Sequence, residues 1–304
     1  MDKLVKLIAD IGKLWGHYSS AYFTGIQNTL ILAVAATLAG CIIGLICGVL
    51  NTIPYTQNDH PVKRFFLKLL RVLIRIYVEV FRGTPMVLQA VFIFYGLPYF
   101  TDGAVAFKGM AGIWTAALIV VSINTGAYMA ESVRGGIISI DPGQTEGAKA
   151  IGMTHVQTMV NVIMPQALRN IIPQIGNNFI INIKDTSVMF VIGFVEFFAT
   201  HRNIVGVNLL YFPSAVIEMV GYLTLTLLAS FGLRALEKWL DGADNYELVS
   251  VDSLAMSAGT YSHPDRGSPF DEKSKEFLAA KELKRERRER KLQELRFGRP
   301  KGDR

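Results

Sequence analysis

The chain has 304 residues, 51% of them hydrophobic and only 18% charged, which is too apolar for an ordinary soluble domain. Its charges are gathered into a few segments, and the net charge of +6 is the excess expected from basic cytoplasmic loops of a multi-span membrane protein, without a nucleic-acid partner. Cys41 and Cys47 both fall inside one apolar run and read as small packing residues, which excludes a disulfide framework or a cysteine metal site.

Residues 2–15 place Leu4, Leu7, Ile8, Ile11, Leu14 and Trp15 at helical spacing opposite Lys3, Lys6 and Lys13. This predicts a helix lying in the membrane interface within residues 1–21. The run that follows is too long for a signal-peptide core and has no small-residue cleavage site, so it is expected to stay as a span. That first span covers Tyr22 to Leu50, because crossing about 30 Å of hydrocarbon takes roughly 20 apolar helical residues. Gly40, Gly44 and Gly48 recur within it every four residues, the spacing of a face that packs closely on another helix.

From Asn51 to Arg75, Lys63, Arg64, Lys68, Arg71 and Arg75 alternate with Phe65, Phe66, Leu69, Leu70 and Leu73, a basic connector placed in the cytoplasm by the positive-inside rule. A second span is expected from Leu73 to Pro98, interrupted by Glu79, Arg82, Gly83 and Pro85. The third runs from Met110 to Met129 and reaches Glu131 and Arg134. A loop from Gly135 to Pro173 follows, punctuated by Gly143, Gly147, Gly152 and Pro165 and returned to the cytoplasm by the span count. The fourth span begins at Pro173 and passes Lys184 and Asp185 to Phe198, an outer connector holds His201 and Arg202, and the fifth span covers Phe212 to Leu233. The fold class is thus all-α and polytopic, with five core spans over residues 22–240, the amino terminus outside and the carboxyl terminus cytoplasmic. Residues 241–304 are polar, and Lys281 to Arg296 is rich in charge pairs, which reads as a disordered or partly helical cytoplasmic tail attracted to anionic lipid.

Chemistry is constrained mainly by what is missing. No G-x-x-x-x-G-K-[ST] phosphate loop is present, so ATP-driven work would need a separate ATPase chain. No H-E-x-x-H, no G-x-S-x-G and no His/Cys cluster occurs, and no catalytic residue, metal or resident cofactor is expected. Gly83 and Pro85 break the backbone ladder of the second span, either as a plain kink or against a wet cavity. Glu79 and Glu131 lie within helical reach of Arg75, Arg82 and Arg134, either to neutralise charge or to touch a solute. Lys184 and Asp185 lie eleven and twelve residues past Pro173, about half-way through the hydrocarbon, where adjacent charges mark a solute path or a structural pairing. Ile151, Met153, Val156 and Met159 give the loop the apolar anchors of a helix that docks in a groove.

Glu146, Ala148, Gly152 and Pro165 match the EAA signature of bacterial ATP-binding-cassette importer permeases, with Gly147 in place of the first alanine and Val162 and Met164 in place of Ile and Leu. FRGTP at 81–85, Tyr128 to Gly136, Pro165 to Arg169 and Lys184 to Ser187 look like motifs of the polar amino-acid uptake branch. The resemblance covers Asn28 to Lys238. It implies that the loop folds as two short helices and couples to the ATPase through Glu146, Gly147, Ala148, Gly152, Met153 and Pro165. It further implies a translocation path or gate at Arg82, Gly83, Thr84, Pro85, Glu131, Lys184, Asp185, Thr186 and Ser187. The implied partners are cytoplasmic ATP-binding subunits carrying ATP and Mg, a second permease subunit, an extracytoplasmic amino-acid-binding protein, the lipid bilayer of a bacterial inner membrane, and a polar amino acid. Two other readings stand beside it: an ion-coupled secondary amino-acid carrier, and a membrane scaffold with a basic recruitment tail.

Overall fold

No proline interrupts residues 2–52. A computed structural model of the chain, which describes residues 2–55 and 60–241, runs them as one helix of 51 residues, α1 (Asp2–Thr52). At about 1.5 Å per residue it is roughly 75 Å long, more than twice the hydrocarbon thickness. The separate interfacial helix expected over residues 1–21 is therefore the beginning of α1. Extending a helix adds a hydrogen bond per residue, whereas stopping and renucleating costs one, and Gly12 and Gly16 alone do not force a stop. Leu4, Ile8 and Trp15 stay exposed, while Leu14 and Tyr22 pack with Phe197, Ile204 and Ile217.

The basic connector is itself helical from Pro61. Helix α2 (Pro61–Gly83) meets α3 (Met86–Phe100) at 112°, so the second span is two arms rather than a rod. The cause is local: the Pro85 ring excludes helical backbone at the residue before it, and Thr84 is extended at φ −119° and ψ 147°. Helix α4 (Gly109–Ile138) runs past the expected end at Met129 and takes Gly135 and Gly136 with it. After α5 (Pro142–Ala150), helix α6 (His155–Ile192) begins well before Pro173, which lies inside it. It carries a π-turn at Met159–Ile163 and tightens to a 3₁₀ helix at Thr186–Ile192. A bend of 51° leads into α7 (Phe197–Asn208), and α8 (Tyr211–Asp241) ends the described chain. His201 and Arg202 thus belong to a helix, not to an outer connector, and His201 is buried. Among the described residues three helices, α1, α4 and α8, are long and apolar enough to cross a membrane, and the two bent pairs raise the number to five if each is one span. The tail expected over 241–304 lies outside the described residues after Asp241.

The core forms where α1 lies along α4. A β-carbon on Gly40 would come within 2.6 Å of Thr125, and one on Gly48 within 2.5 Å of Val133, with Met129 opposite Gly44 between them. The small-residue seam read from the sequence is this contact. Cys41 packs beside the Met129, Val133 and Ile171 cluster, in the packing role expected of it. Gly44→Leu should force α1 off α4 and cost about 3 kcal/mol, the upper end for overpacking. A detergent melting curve and the yield of inserted protein would check it, and a variant as stable as the parent would refute the seam.

Candidate functional site

The loop between α4 and α6 is built by caps. Asp141 caps α5, accepting a hydrogen bond from the Gly143 N–H at 2.7 Å, with Pro142 preset for the first turn. At the other end, Gly152 takes a left-handed φ of +82°. Its N–H donates to the Lys149 carbonyl at 2.9 Å, and the Met153 N–H donates to the Ala148 carbonyl at 3.1 Å. The chain then re-enters helix through a capping box, the Gln157 N–H donating to Thr154 Oγ1 and the Thr154 N–H to Gln157 Oε1. Of the two short helices expected from the EAA resemblance, α5 is one, whereas the other is the first turns of the long α6, because nothing after the capping box stops the helix.

Ala148 is buried against the chain, whereas Glu146 and Gly147 face outward. A β-carbon on Gly147 would meet nothing, so glycine in place of the usual alanine costs no packing there. Pro165 follows the π-turn, where its missing N–H falls at the start of the regular helix. Ile151 is 78% exposed, Val156 68% and Val160 59%, which makes the tip of the loop an uncovered apolar surface around Gly152. Met153 and Met159 are only partly exposed.

The expected path residues separate into two places. Arg82, Gly83, Thr84 and Pro85 form the exposed elbow between α2 and α3. The carbonyls freed by the break are satisfied by two buried amides that sequence reasoning passed over. Gln89 Nε2 donates to the carbonyls of Phe81 and Thr84, each at 2.9 Å. Asn124 Nδ2 donates to the Phe81 carbonyl and to Gln89 Oε1, each at 3.0 Å. The Arg82 guanidinium lies 5.2 Å from the centre of the Tyr128 ring on α4. One turn on, Glu131 pairs with Arg134, whereas Glu79 forms no ion pair with Arg75 or Arg82.

Lys184, Asp185, Thr186 and Ser187 sit where α6 tightens to 3₁₀. Lys184 is exposed and makes no ion pair with Asp185, as their adjacent helical positions require. Thr186 is buried and donates to the Ile183 carbonyl at 3.1 Å, so its hydroxyl serves the backbone. The inward residue here is Asn182, whose Nδ2 donates to Thr37 Oγ1 at 2.8 Å and to Thr125 Oγ1 at 3.0 Å, tying α6 to α1 and α4.

A third polar group, unexpected from the sequence, joins α1, α7 and α8. The fully buried Glu196 carboxylate caps α7, accepting from the N–H groups of Phe198 at 2.9 Å and Ala199 at 2.7 Å and from the Tyr222 hydroxyl at 2.8 Å. Beside it, Ser214 Oγ lies 2.7 Å from the Tyr22 hydroxyl and 2.8 Å from His201 Nδ1, with Glu218 3.6 Å from the same nitrogen. Glu218 stands between Ile217 and Met219 in an apolar run, the signal that singled out Lys184 and Asp185 and that applied equally here.

The model of the binding-protein-dependent transport system inner membrane component matches residues 40–242, about two thirds of the chain. The chain belongs to that family. The glutamine transport system permease protein GlnP of Escherichia coli (strain K12) is 36% identical over 215 residues, 70% of this chain and 90% of GlnP. A probable amino-acid permease protein, YxeN, of Bacillus subtilis (strain 168) is 36% identical over 219 residues, 71% of this chain and 91% of its own. The solved structure of an amino acid ABC transporter with histidines has 32% identity and a TM-score of 0.63, covering 73% of this chain and 95% of that one. The resemblance read from the EAA loop and the all-helical, multi-pass permease fold are thereby shown. As an inner membrane component of this family, the chain is a transport subunit.

Proposed function

We propose that this permease carries polar amino acids across the bacterial inner membrane as one of two subunits lining the path. Its capped loop docks in a separate ATPase that binds ATP and Mg. The observation that carries the reading is the exposed apolar tip, Ile151, Val156 and Val160, held between the short helix α5 and the start of α6 by a left-handed glycine. Such a rigid amphipathic knob suits a groove on a cytoplasmic partner. The substrate class rests on the glutamine and amino-acid relatives. An extracytoplasmic amino-acid-binding protein delivers the solute, the amino terminus lies outside, and the ATPases drive alternating access by favouring one of two states of the permease pair. Co-purification with an ATPase whose turnover rises when loaded binding protein is added tests the scheme; uptake in cells lacking that ATPase would sink it.

The path runs past the point where the exposed Lys184 and the half-buried Asp185 stand at the 3₁₀ transition of α6, together with the Arg82 to Pro85 elbow and Glu131. Each of Lys184→Met and Asp185→Asn is expected to lower initial uptake at least tenfold at unchanged expression. Unaltered uptake in both would remove these residues from the path.

A further inference from the structure

Resting on the reading that α5 faces the cytoplasm, a second feature beside the coupling loop has a ligand chemistry of its own. A cleft of about 1210 Å³ opens between α2, the end of α4 and α5. Lys68, Arg71 and Arg75 form its α2 wall, three and four residues apart and hence on one face. Lys and Arg outnumber Glu in the lining by five to three. Arg71 is fixed in place, its Nη2 donating to the Ile53 carbonyl at 2.5 Å and its guanidinium stacked 4.5 Å from the Tyr55 ring centre. Arg134 is engaged by Glu131. Lys68 and Arg75 are exposed, and neither takes part in an ion pair among the described residues.

The neighbouring stripe of α2 is apolar and uncovered: Phe65, Leu69, Val72 and Ile76 are all exposed large hydrophobics. A free cationic stripe beside a bare apolar one matches a molecule with an anionic head and hydrocarbon chains. Basic pockets between membrane helices on the cytoplasmic side hold phosphate headgroups in this way.

We propose that the cleft binds an anionic phospholipid of the cytoplasmic leaflet. Its phosphate sits on Lys68 and Arg75, its chains lie along Phe65, Leu69, Val72 and Ile76, and its headgroup bridges α2 to the coupling helix α5. Inorganic phosphate offers the same anion but leaves the apolar stripe bare.

Native mass spectrometry of the purified whole transporter, taken from mixed phosphatidylcholine, phosphatidylglycerol and cardiolipin nanodiscs, tests the assignment. The parent should retain phosphatidylglycerol or cardiolipin, and Lys68→Gln with Arg75→Gln should cut that retention roughly tenfold. The control pair Lys3→Gln with Lys6→Gln should not. Retention unchanged in the Lys68/Arg75 variant overturns the proposal, as does displacement of the lipid by inorganic phosphate, which would mark a free-anion site. Detachment of the ATPase from this variant with lipid retention intact would assign the cleft to a protein surface and equally overturn it. A Gly152 variant that keeps the ATPase while the permease keeps its lipid would count against the docking reading alone.

Discussion

Gly152→Val is expected to cut coupled uptake about tenfold while the permease still inserts normally. The glycine is required by its backbone, not by its surroundings, because its φ is +82° and a β-carbon there would meet no neighbour. An L-residue in that conformation costs about 1–2 kcal/mol, and a β-branched one falls at the upper end, enough to depopulate the turn roughly tenfold. Once the turn is lost, so are the Gly152 N–H to Lys149 and Met153 N–H to Ala148 hydrogen bonds that aim Ile151 and Val156 outward together. Asparagine tolerates the left-handed region, so Gly152→Asn should recover most of the uptake, a rescue that steric blocking would not give. The measurements are initial uptake and the amount of ATPase recovered with the permease. Full coupling in the valine variant would mean that the turn does not position the docking surface.

That turn was legible in the sequence because a glycine between two amphipathic helical segments has few other uses, and the Gly40, Gly44 and Gly48 seam was legible because its period is helical. The element boundaries were less so. Proline was read as a stop, yet Pro173 sits inside α6, where close packing on neighbouring helices lets the ladder tolerate a gap. Gly135 and Gly136 look like the start of a loop, yet both are helical, and the glycine at 136 serves packing, because a β-carbon there would collide with Ile171. The amino-terminal helix was cut from the first span because its polar pattern changes near Tyr22, but a change of environment along a helix is not a change of backbone. The buried amides were invisible for another reason. Gln89 and Asn124 are defined by the carbonyls they satisfy, and those carbonyls exist only once the elbow at Pro85 has bent the chain through 112°.

Glu196→Ala should be the most damaging single change where α1, α7 and α8 meet, lowering stability by about 3 kcal/mol or more. The carboxylate is wholly buried, and both oxygens are used, Oε1 by the Ala199 N–H and Oε2 by the Phe198 N–H and the Tyr222 hydroxyl. Alanine would strand two helix-terminal N–H groups and a phenol with no water to replace the lost partner, which adds a desolvation penalty to the loss of an ordinary cap. Glu196→Gln keeps an acceptor for the helix end and should fall between, and Tyr222→Phe, which removes one bond and leaves the cap intact, should cost only about 1 kcal/mol. Melting temperature in detergent orders the three, and an alanine variant as stable as Tyr222→Phe would show that the cap is dispensable. The order matters for transport as well as for folding. Glu196 sits at the 51° bend where α6 becomes α7, in contact with Thr29 of α1 and Tyr222 of α8, so a softened cap frees the angle between α6 and α7. On the proposed alternating-access scheme, uptake in Glu196→Gln should fall further than its stability loss explains, and a fall no larger than that loss would show that the bend has no part in transport.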